Sequence, residues 1–336
     1  MEYIQQLLSL ADRPAFCVEA GTVTAVNDAA RARQILPGDP AEPLLASGLE
    51  EFAEFTQGFL CLTLDLFGQQ IPATVTALEG RLIFTLEPEE LREEFRLLSL
   101  ASQELREPLS DVMALVEELQ ADPAQVAGIS KGLHRLLRLV GNMSPYPTPR
   151  LELMDVGALL RELWEKVLPV CESRGIQFDF TPCAAPVYSA VDEEMLRRAI
   201  YNLLSNAIKF SQCGSIGLQL SQSPRFYRIT LQNSDSSLPG LCQDPFARFL
   251  REPGGGDPNW GMGLGMRMVR SAALAHGGTV LMDTPPSGGV RVTLHLPKRQ
   301  DVSALRSPRL QIRYTGDLDP MLVELSDVLP DDFYKK

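Results

Sequence analysis

Between residues 91 and 119, apolar or small side chains recur at alternating steps of four and three: Leu91, Phe95, Leu98, Ser102, Leu105, Leu109, Val112, Val116 and Leu119. A helical backbone brings such positions onto one narrow seam, so this stretch predicts a long helix with a single stripe to bury. Asp122 and Pro123 then offer a cap and a first-turn proline, after which Val126, Ile129, Leu133, Leu136, Val140 and Met143 repeat the spacing. The product is a helical hairpin over residues 89–143. Two helices with one stripe each cannot close a core, but two hairpins make a four-helix bundle. The pattern therefore predicts a homodimer.

The hairpin divides a chain of 336 residues, long enough for two or three domains. Ser144-Pro145-Tyr146-Pro147-Thr148-Pro149 breaks helix and strand alike, which makes residues 144–150 a linker. Upstream, residues 1–88 carry short strands and helices. Ala15 to Val18 and Thr22 to Val26 flank Ala20-Gly21 as a hairpin; Leu60, Leu62, Leu64 and Leu66 alternate with Cys61, Thr63, Asp65 and Phe67 as a strand with two unlike faces; two more strands follow near 73–78 and 81–86. Downstream, residues 151–298 alternate helices opened by Asp155 and Asp192 with strands at 176–180, 215–220, 226–232, 279–282 and 290–296, the signature of an α/β sandwich. Residues 299–336 hold an apolar cluster at Leu322, Val323, Leu325, Val328 and Leu329 whose role the sequence does not disclose. The fold class is α+β and multidomain.

A formal net charge of −12, with no long basic run, argues against binding to nucleic acid or an anionic membrane surface. Proteins and small molecules are the expected partners. The six cysteines (Cys17, Cys61, Cys171, Cys183, Cys213, Cys242) form no metal spacing and read as reduced, mostly buried thiols. Without a basic, apolar leader or a run of about eighteen apolar residues, the chain is expected in the cytoplasm, with no membrane insertion.

Chemistry concentrates in the second half. Asn202, Asn206 and Lys209 share one face of a helix: amide oxygens suit Mg²⁺, and the ammonium is a point charge suited to phosphate. Gly261-Met262-Gly263-Leu264-Gly265 stands directly before a second helix, where glycines admit close backbone approach and the helix N-terminus favours anions. Between the two lies Phe246-Ala247-Arg248-Phe249, and His276-Gly277-Gly278 follows. This ordered series resembles the Bergerat-type ATP-binding domain shared by histidine kinases, DNA gyrase and the Hsp90 chaperones, with the kinase variant matching best. Residues 202–210 look like its N box, Phe246 to Phe249, with Arg248, its F box, and Gly261 to Gly265 its second glycine box. The hairpin adds Ser102-Gln103-Glu104-Leu105-Arg106-Glu107-Pro108-Leu109, similar at six of eight positions to the Ser-His-Glu-Leu-Arg-Thr-Pro-Leu run of the dimerisation and phosphoacceptor domain. Residues 1–88, with Pro14 to Val18 leading to Val26-Asn27-Asp28-Ala29, resemble a PAS sensor domain. The resemblance implies a sensor histidine kinase homologue of two-component signalling, binding ATP with Mg²⁺ through Asn202, Asn206, Lys209, Asn233, Phe246, Arg248, Gly261, Gly263, Leu264 and Gly265. It also implies, as partners, a response regulator receiver domain or a true histidine kinase.

The departures matter as much. Gln103 stands where the family has its phosphorylated histidine, beside Glu104, and an amide nitrogen shares its lone pair with the carbonyl and cannot attack phosphorus. Glu107 replaces a small polar residue that positions the dephosphorylating water, which puts phosphatase activity in doubt. His134, the hairpin's histidine, flanks the seam at Leu133, where a polar side chain is expected to be solvated. Asn233-Ser234-Asp235-Ser236-Ser237-Leu238-Pro239 aligns with Asp-x-Gly-x-Gly-Ile-Pro, so the adenine loses a charged acceptor, and Asp235 and Ser237 replace glycines that permit positive φ. Nucleotide binding is thus expected in weakened form. The leading reading is a dimeric regulatory scaffold that has lost autophosphorylation. One alternative is an active kinase that phosphorylates a partner kinase in a heterodimer. Another is a gyrase- or chaperone-type ATPase, which needs a glutamate base where Asn202 stands.

Overall fold

The computed structural model describes the chain except residues 1, 10, 12, 88, 120, 144–148, 212–213, 239–243, 247–263, 301–317 and 336. The N-terminal part runs α1 (Glu2–Ser9), β1 (Ala15–Glu19), β2 (Thr22–Val26), α2 (Asp28–Ala32), α3 (Leu49–Glu54), β3 (Phe59–Leu66), β4 (Gln69–Leu78) and β5 (Arg81–Leu86). Three of its hairpins turn on two left-handed residues: Ala20-Gly21, Phe67-Gly68 and Glu79-Gly80. Positive φ at both positions matches the turn's twist to that of the strands. Asn27 caps α2 by accepting from Ala30 N (2.9 Å), and it also accepts from Ala15 N (3.0 Å), which ties the helix to β1.

The hairpin is α4 (Glu89–Glu117) and α5 (Pro123–Met143). Its seam splits. Ser102 and Val116 turn inward, whereas Leu105, Val112 and Leu119, seven residues apart, are 51%, 44% and 51% exposed. On α5, Ile129 and Leu136 form a matching exposed stripe.

The C-terminal part comprises β6 (Glu152–Asp155), α6 (Val156–Ser173), β7 (Gln177–Thr181), β8 (Tyr188–Val191), α7 (Glu193–Phe210), β9 (Ser215–Gln222), β10 (Phe226–Asn233), α8 (Leu264–Ala275), β11 (Thr279–Asp283), β12 (Val290–Pro297) and α9 (Pro320–Glu324), with a 3₁₀ turn at Asp331–Tyr334. Asp155 and Asp192 cap α6 and α7 as expected, the latter by accepting from Met195 N at 2.9 Å. The pairing of β6 with β8 in a small separate sheet has no counterpart in the sequence reading.

Among the described residues one sheet runs through ten strands in the order β2-β1-β5-β4-β3-β11-β12-β10-β9-β7. The two α/β parts are therefore joined edge to edge, where β3 pairs antiparallel with β11 (Phe59 opposite Met282, Cys61 opposite Val280). This explains the alternation in β3. Leu60, Leu62, Leu64 and Leu66 serve the N-terminal core, while Phe59 and Cys61 belong to the C-terminal core. Gly58, at φ +86°, lies so close to the Met282 carbonyl that a Cβ would collide with it. Glu87, just past β5, accepts from Arg267 (2.8 Å) and Arg270 (3.0 Å) of α8.

The tail is part of this structure. Val323 is buried between Met113 and Leu137 of the hairpin, while Met321, Leu325, Val328, Leu329 and Tyr334 enter the C-terminal core. His134 departs from expectation for this reason. It is buried, its ring meets Tyr334 edge-on at 4.9 Å, and its Nδ1 lies 2.7 Å from the Ser130 carbonyl. Cys17, Cys61 and Cys171 are free, buried thiols, and burial pushes Cys171 up to about 12. Cys213 and Cys242 lie outside the described residues.

Candidate functional site

A cavity of 770 Å³ opens between α5 and the C-terminal sandwich. Leu203, Leu231, Met282, Val290 and Val292 give it apolar walls. Asn206 and Lys209 come from α7, and Asn233 with Asp235 to Leu238 from the end of β10. Leu264, Gly265 and Met266 form the first turn of α8, while α5 adds Arg135, Arg138 and Asn142, and the tail adds Asp327. Apolar walls with a few convergent polar groups suit a ligand that is part flat ring and part charge.

Five predicted residues meet here: Asn206, Lys209, Asn233, Leu264 and Gly265. Asn202, expected beside Asn206 as a metal ligand, lies behind them, fully buried. Its Nδ2 donates to the Arg198 carbonyl (3.0 Å) and to Glu324 Oε2 (3.1 Å), and its Oδ1 accepts from Arg138 Nη2 (3.2 Å). An oxygen facing a guanidinium is a poor seat for a second cation. Phe246 is a core residue rather than a cavity residue, with its amide held by Asp244 Oδ1 at 2.9 Å. Arg248, Gly261 and Gly263 lie outside the described residues. Gln103 and Glu104 are exposed on α4, away from the cavity lining.

Two local details revise the reasoning from sequence. Gly265 is needed for helix packing, because a Cβ there would stand 2.8 Å from Asn202 Oδ1. Neither Asp235 nor Ser237 takes positive φ, so the loop that lost its glycines follows ordinary backbone. Asn233 is held at both ends: Nδ2 donates to Ser236 Oγ, and Oδ1 accepts from Val290 N at 3.3 Å. One lone pair of that oxygen remains for a ligand.

Sequence reasoning missed the polar core shared by hairpin, sandwich and tail. Glu324 has no exposed surface and accepts from Arg198 Nε (2.8 Å), with Arg138 Nε at 3.8 Å. Asp327 accepts from Arg138 Nη1 (2.8 Å) and lies 3.6 Å from Arg135 Nε. The signal was there to read: Arg135 and Arg138 are three apart, as are Glu324 and Asp327.

The sequence matches the family described as histidine kinase-, DNA gyrase B- and HSP90-like ATPase over residues 191–300. Signal transduction histidine-protein kinase BaeS of Escherichia coli K12 is 28% identical over 247 residues, covering 66% of this chain and 50% of BaeS. Sensor-like histidine kinase SenX3 of Mycolicibacterium smegmatis is 28% identical over 220 residues, covering 60% of this chain and 56% of SenX3. The chain is a homologue of sensor histidine kinases. It spans about half the length of these relatives. The crystal structure of full-length ShkA in complex with AMPPNP shares its fold at 22% identity, with a TM-score of 0.51 over 63% of this chain and 47% of that one. The homologue thus carries an ATP-binding domain of the histidine kinase type. Among the described residues no helix is long and apolar enough to cross a membrane.

Proposed function

We propose that this kinase homologue binds ATP in the cavity between α5 and the sandwich, and serves two-component signalling as a dimeric regulatory scaffold that does not phosphorylate itself. The observation that carries the reading is a contrast. The cavity gathers Asn206, Lys209, Asn233 and the first turn of α8, while the acceptor position on α4 holds an exposed Gln103. The residues fit the nucleotide. Apolar walls suit the adenine, the free lone pair of Asn233 Oδ1 suits its amino group, and Lys209 with the α8 N-terminus suits phosphate. Mg²⁺ keeps several waters and takes few protein ligands beside phosphate oxygens, so we assign Asn206 alone to it. A bound nucleotide would supply charge and shape to this wall of α5.

Dimerisation is supported by the exposed stripes of Leu105 and Val112 on α4, with Leu119 just past its end, and of Ile129 and Leu136 on α5, which water alone would cover. The short helices and five N-terminal strands support a PAS-like sensor part, and buried free thiols agree with a reducing cytoplasm. The proposed partner is a receiver domain or a true histidine kinase. A hydrolysing ATPase would find an amide, not a glutamate base, at the buried Asn202.

The test has two arms. Calorimetry should show Mg·ATP binding that Asn233→Asp strengthens by about tenfold, the worth of a charge on a buried hydrogen bond. Incubation with labelled Mg·ATP should leave no acid-labile label on the chain, and Gln103→His should admit one if the ATP domain is competent. Robust labelling of the unaltered chain would refute the scaffold reading; labelling of an added histidine kinase would favour the heterodimeric enzyme.

A further inference from the structure

The nucleotide reading leaves two arginines of α5 unexplained. Arg135 and Arg138 stand on the cavity wall, and the tail brings Asp327 to the same wall. Arg138 Nη1 donates to Asp327 Oδ2 at 2.8 Å, and Arg135 Nε lies 3.6 Å from Oδ1. The arginines also lie close to the groups expected to meet phosphate. Arg138 Nη2 reaches the oxygen of Asn202, one helical turn from Asn206, and that same oxygen is what a Cβ on Gly265 would strike. The guanidinium of Arg138 therefore sits beside the N-terminal turn of α8, a helix of 12 residues whose leading amides favour anions.

We propose that Arg135 and Arg138 bind the polyphosphate of the nucleotide, and that Asp327 is the internal carboxylate that holds them until the polyphosphate displaces it. The inference rests on the cavity being a nucleotide site. Two carboxylates of the tail differ in how firmly they are committed. Glu324 is sealed between Arg198 and Arg138 with no exposed surface, whereas the Asp327 side chain is 31% exposed and can be exchanged. A guanidinium fork matches two phosphate oxygens at once, and a polyphosphate brings several charges against the single one of Asp327. Asp235 also lines the cavity, and its charge is present both before and after the exchange. Nucleotide would thereby loosen the outer half of the tail's hold while Glu324 keeps the inner half.

Calorimetry on the full chain with two probes, Mg·ATP and adenosine, tests this. Asp327→Asn should tighten Mg·ATP by about three- to tenfold and Arg135→Gln should weaken it by as much, as charge-assisted bonds to phosphate are gained or lost. Adenosine, lacking phosphate, should bind both variants as it binds the unaltered chain. Arg135 is chosen because it is half-exposed, whereas Arg138 also serves the buried network. Mg·ATP affinity unchanged in both variants, or changes equal for the two probes, would overturn the assignment of the arginines and leave the nucleotide site standing. Failure of every form to bind either probe would overturn the nucleotide site, and this inference with it.

Discussion

Glu324→Ala is the perturbation with the largest expected effect on the folded chain. The carboxylate has no exposed surface, and it touches three donors from two parts of the chain: Arg198 Nε at 2.8 Å, Asn202 Nδ2 at 3.1 Å and Arg138 Nε at 3.8 Å. Removing it strands two guanidiniums in a space that excludes water, and breaking a buried pair in this way costs about 3–5 kcal/mol. Each arginine keeps a partner: Arg198 still donates to Asn142 Oδ1 (3.2 Å), and Arg138 to Asp327 and Asn202. The expected cost therefore falls at the low end, about 3 kcal/mol. Urea unfolding should reveal it as a midpoint about 1 M lower, for a slope of about 3 kcal/mol per molar. Tryptophan fluorescence and far-UV circular dichroism should move together. Adding Arg198→Met, which removes one stranded charge, should recover part of the loss. A Glu324→Ala chain within about 0.5 kcal/mol of the unaltered one, the range of an ordinary surface change, would refute the buried network and the seating of the tail.

Gly265→Ala places a methyl 2.8 Å from Asn202 Oδ1, so it should cost about 1–3 kcal/mol by overpacking and weaken Mg·ATP in calorimetry; a stabilised variant would refute the packing role. Leu105→Glu together with Val112→Glu puts charge on the exposed α4 stripe, and light scattering after gel filtration should show a dimer become a monomer at micromolar concentration. Burial holds the His276 imidazole below the ordinary histidine range, and its Nε2 accepts the Asp192 amide at 3.0 Å, so the folded chain keeps it neutral. The unfolded chain takes up the proton as pH falls through about 6.5 while the folded one resists, so this contribution is complete above that pH and declines below it, with a slope of up to about 1.4 kcal/mol per pH unit. Urea midpoints at pH 7.5 and 5.5 should differ less in His276→Gln, and an unchanged difference would refute the assignment.

Periodicity and capping residues were enough to place most elements. The steps of four and three over 91–143 became α4 and α5, and Asp155 and Asp192 stand at the helix starts where their side chains put them. What the sequence withheld was long-range. The pairing of β3 with β11 joins strands more than two hundred residues apart, and nothing in Phe59 or Val280 specifies a partner. The two-sided alternation of β3 was visible, but that its faces serve two cores was not. In the site, Asn206 and Lys209, which helix spacing places on one face with Asn202, line the same cavity, yet spacing could not say that Asn202, the next turn back, is turned toward Arg138 and the tail. Spacing fixes which residues share a face, and burial by a distant segment decides what that face meets.

The connections around the cavity bear on the glutamine at position 103. The ATP-binding part is held to the N-terminal part by the β3–β11 ladder and by Glu87 on Arg267 and Arg270, and to α5 by Glu324 and Asp327 through Arg138 and Arg198. A domain that delivers a phosphoryl group to α4 has to release such holds in every cycle, at a cost that buried ion pairs and a strand ladder make large. In the proposed scaffold, with glutamine at position 103, that requirement falls away and a fixed arrangement carries no penalty. The same holds give it a route for regulation. Glu87 lies at the end of β5, two residues before α4 begins, and it grips the helix whose first turn forms one wall of the cavity. A change in the N-terminal core that moves β5 must move Glu87, and then either α8 follows or two buried arginines lose their counterion. Because the second outcome costs several kcal/mol, the first is favoured, and the cavity wall formed by α8 would follow the displacement.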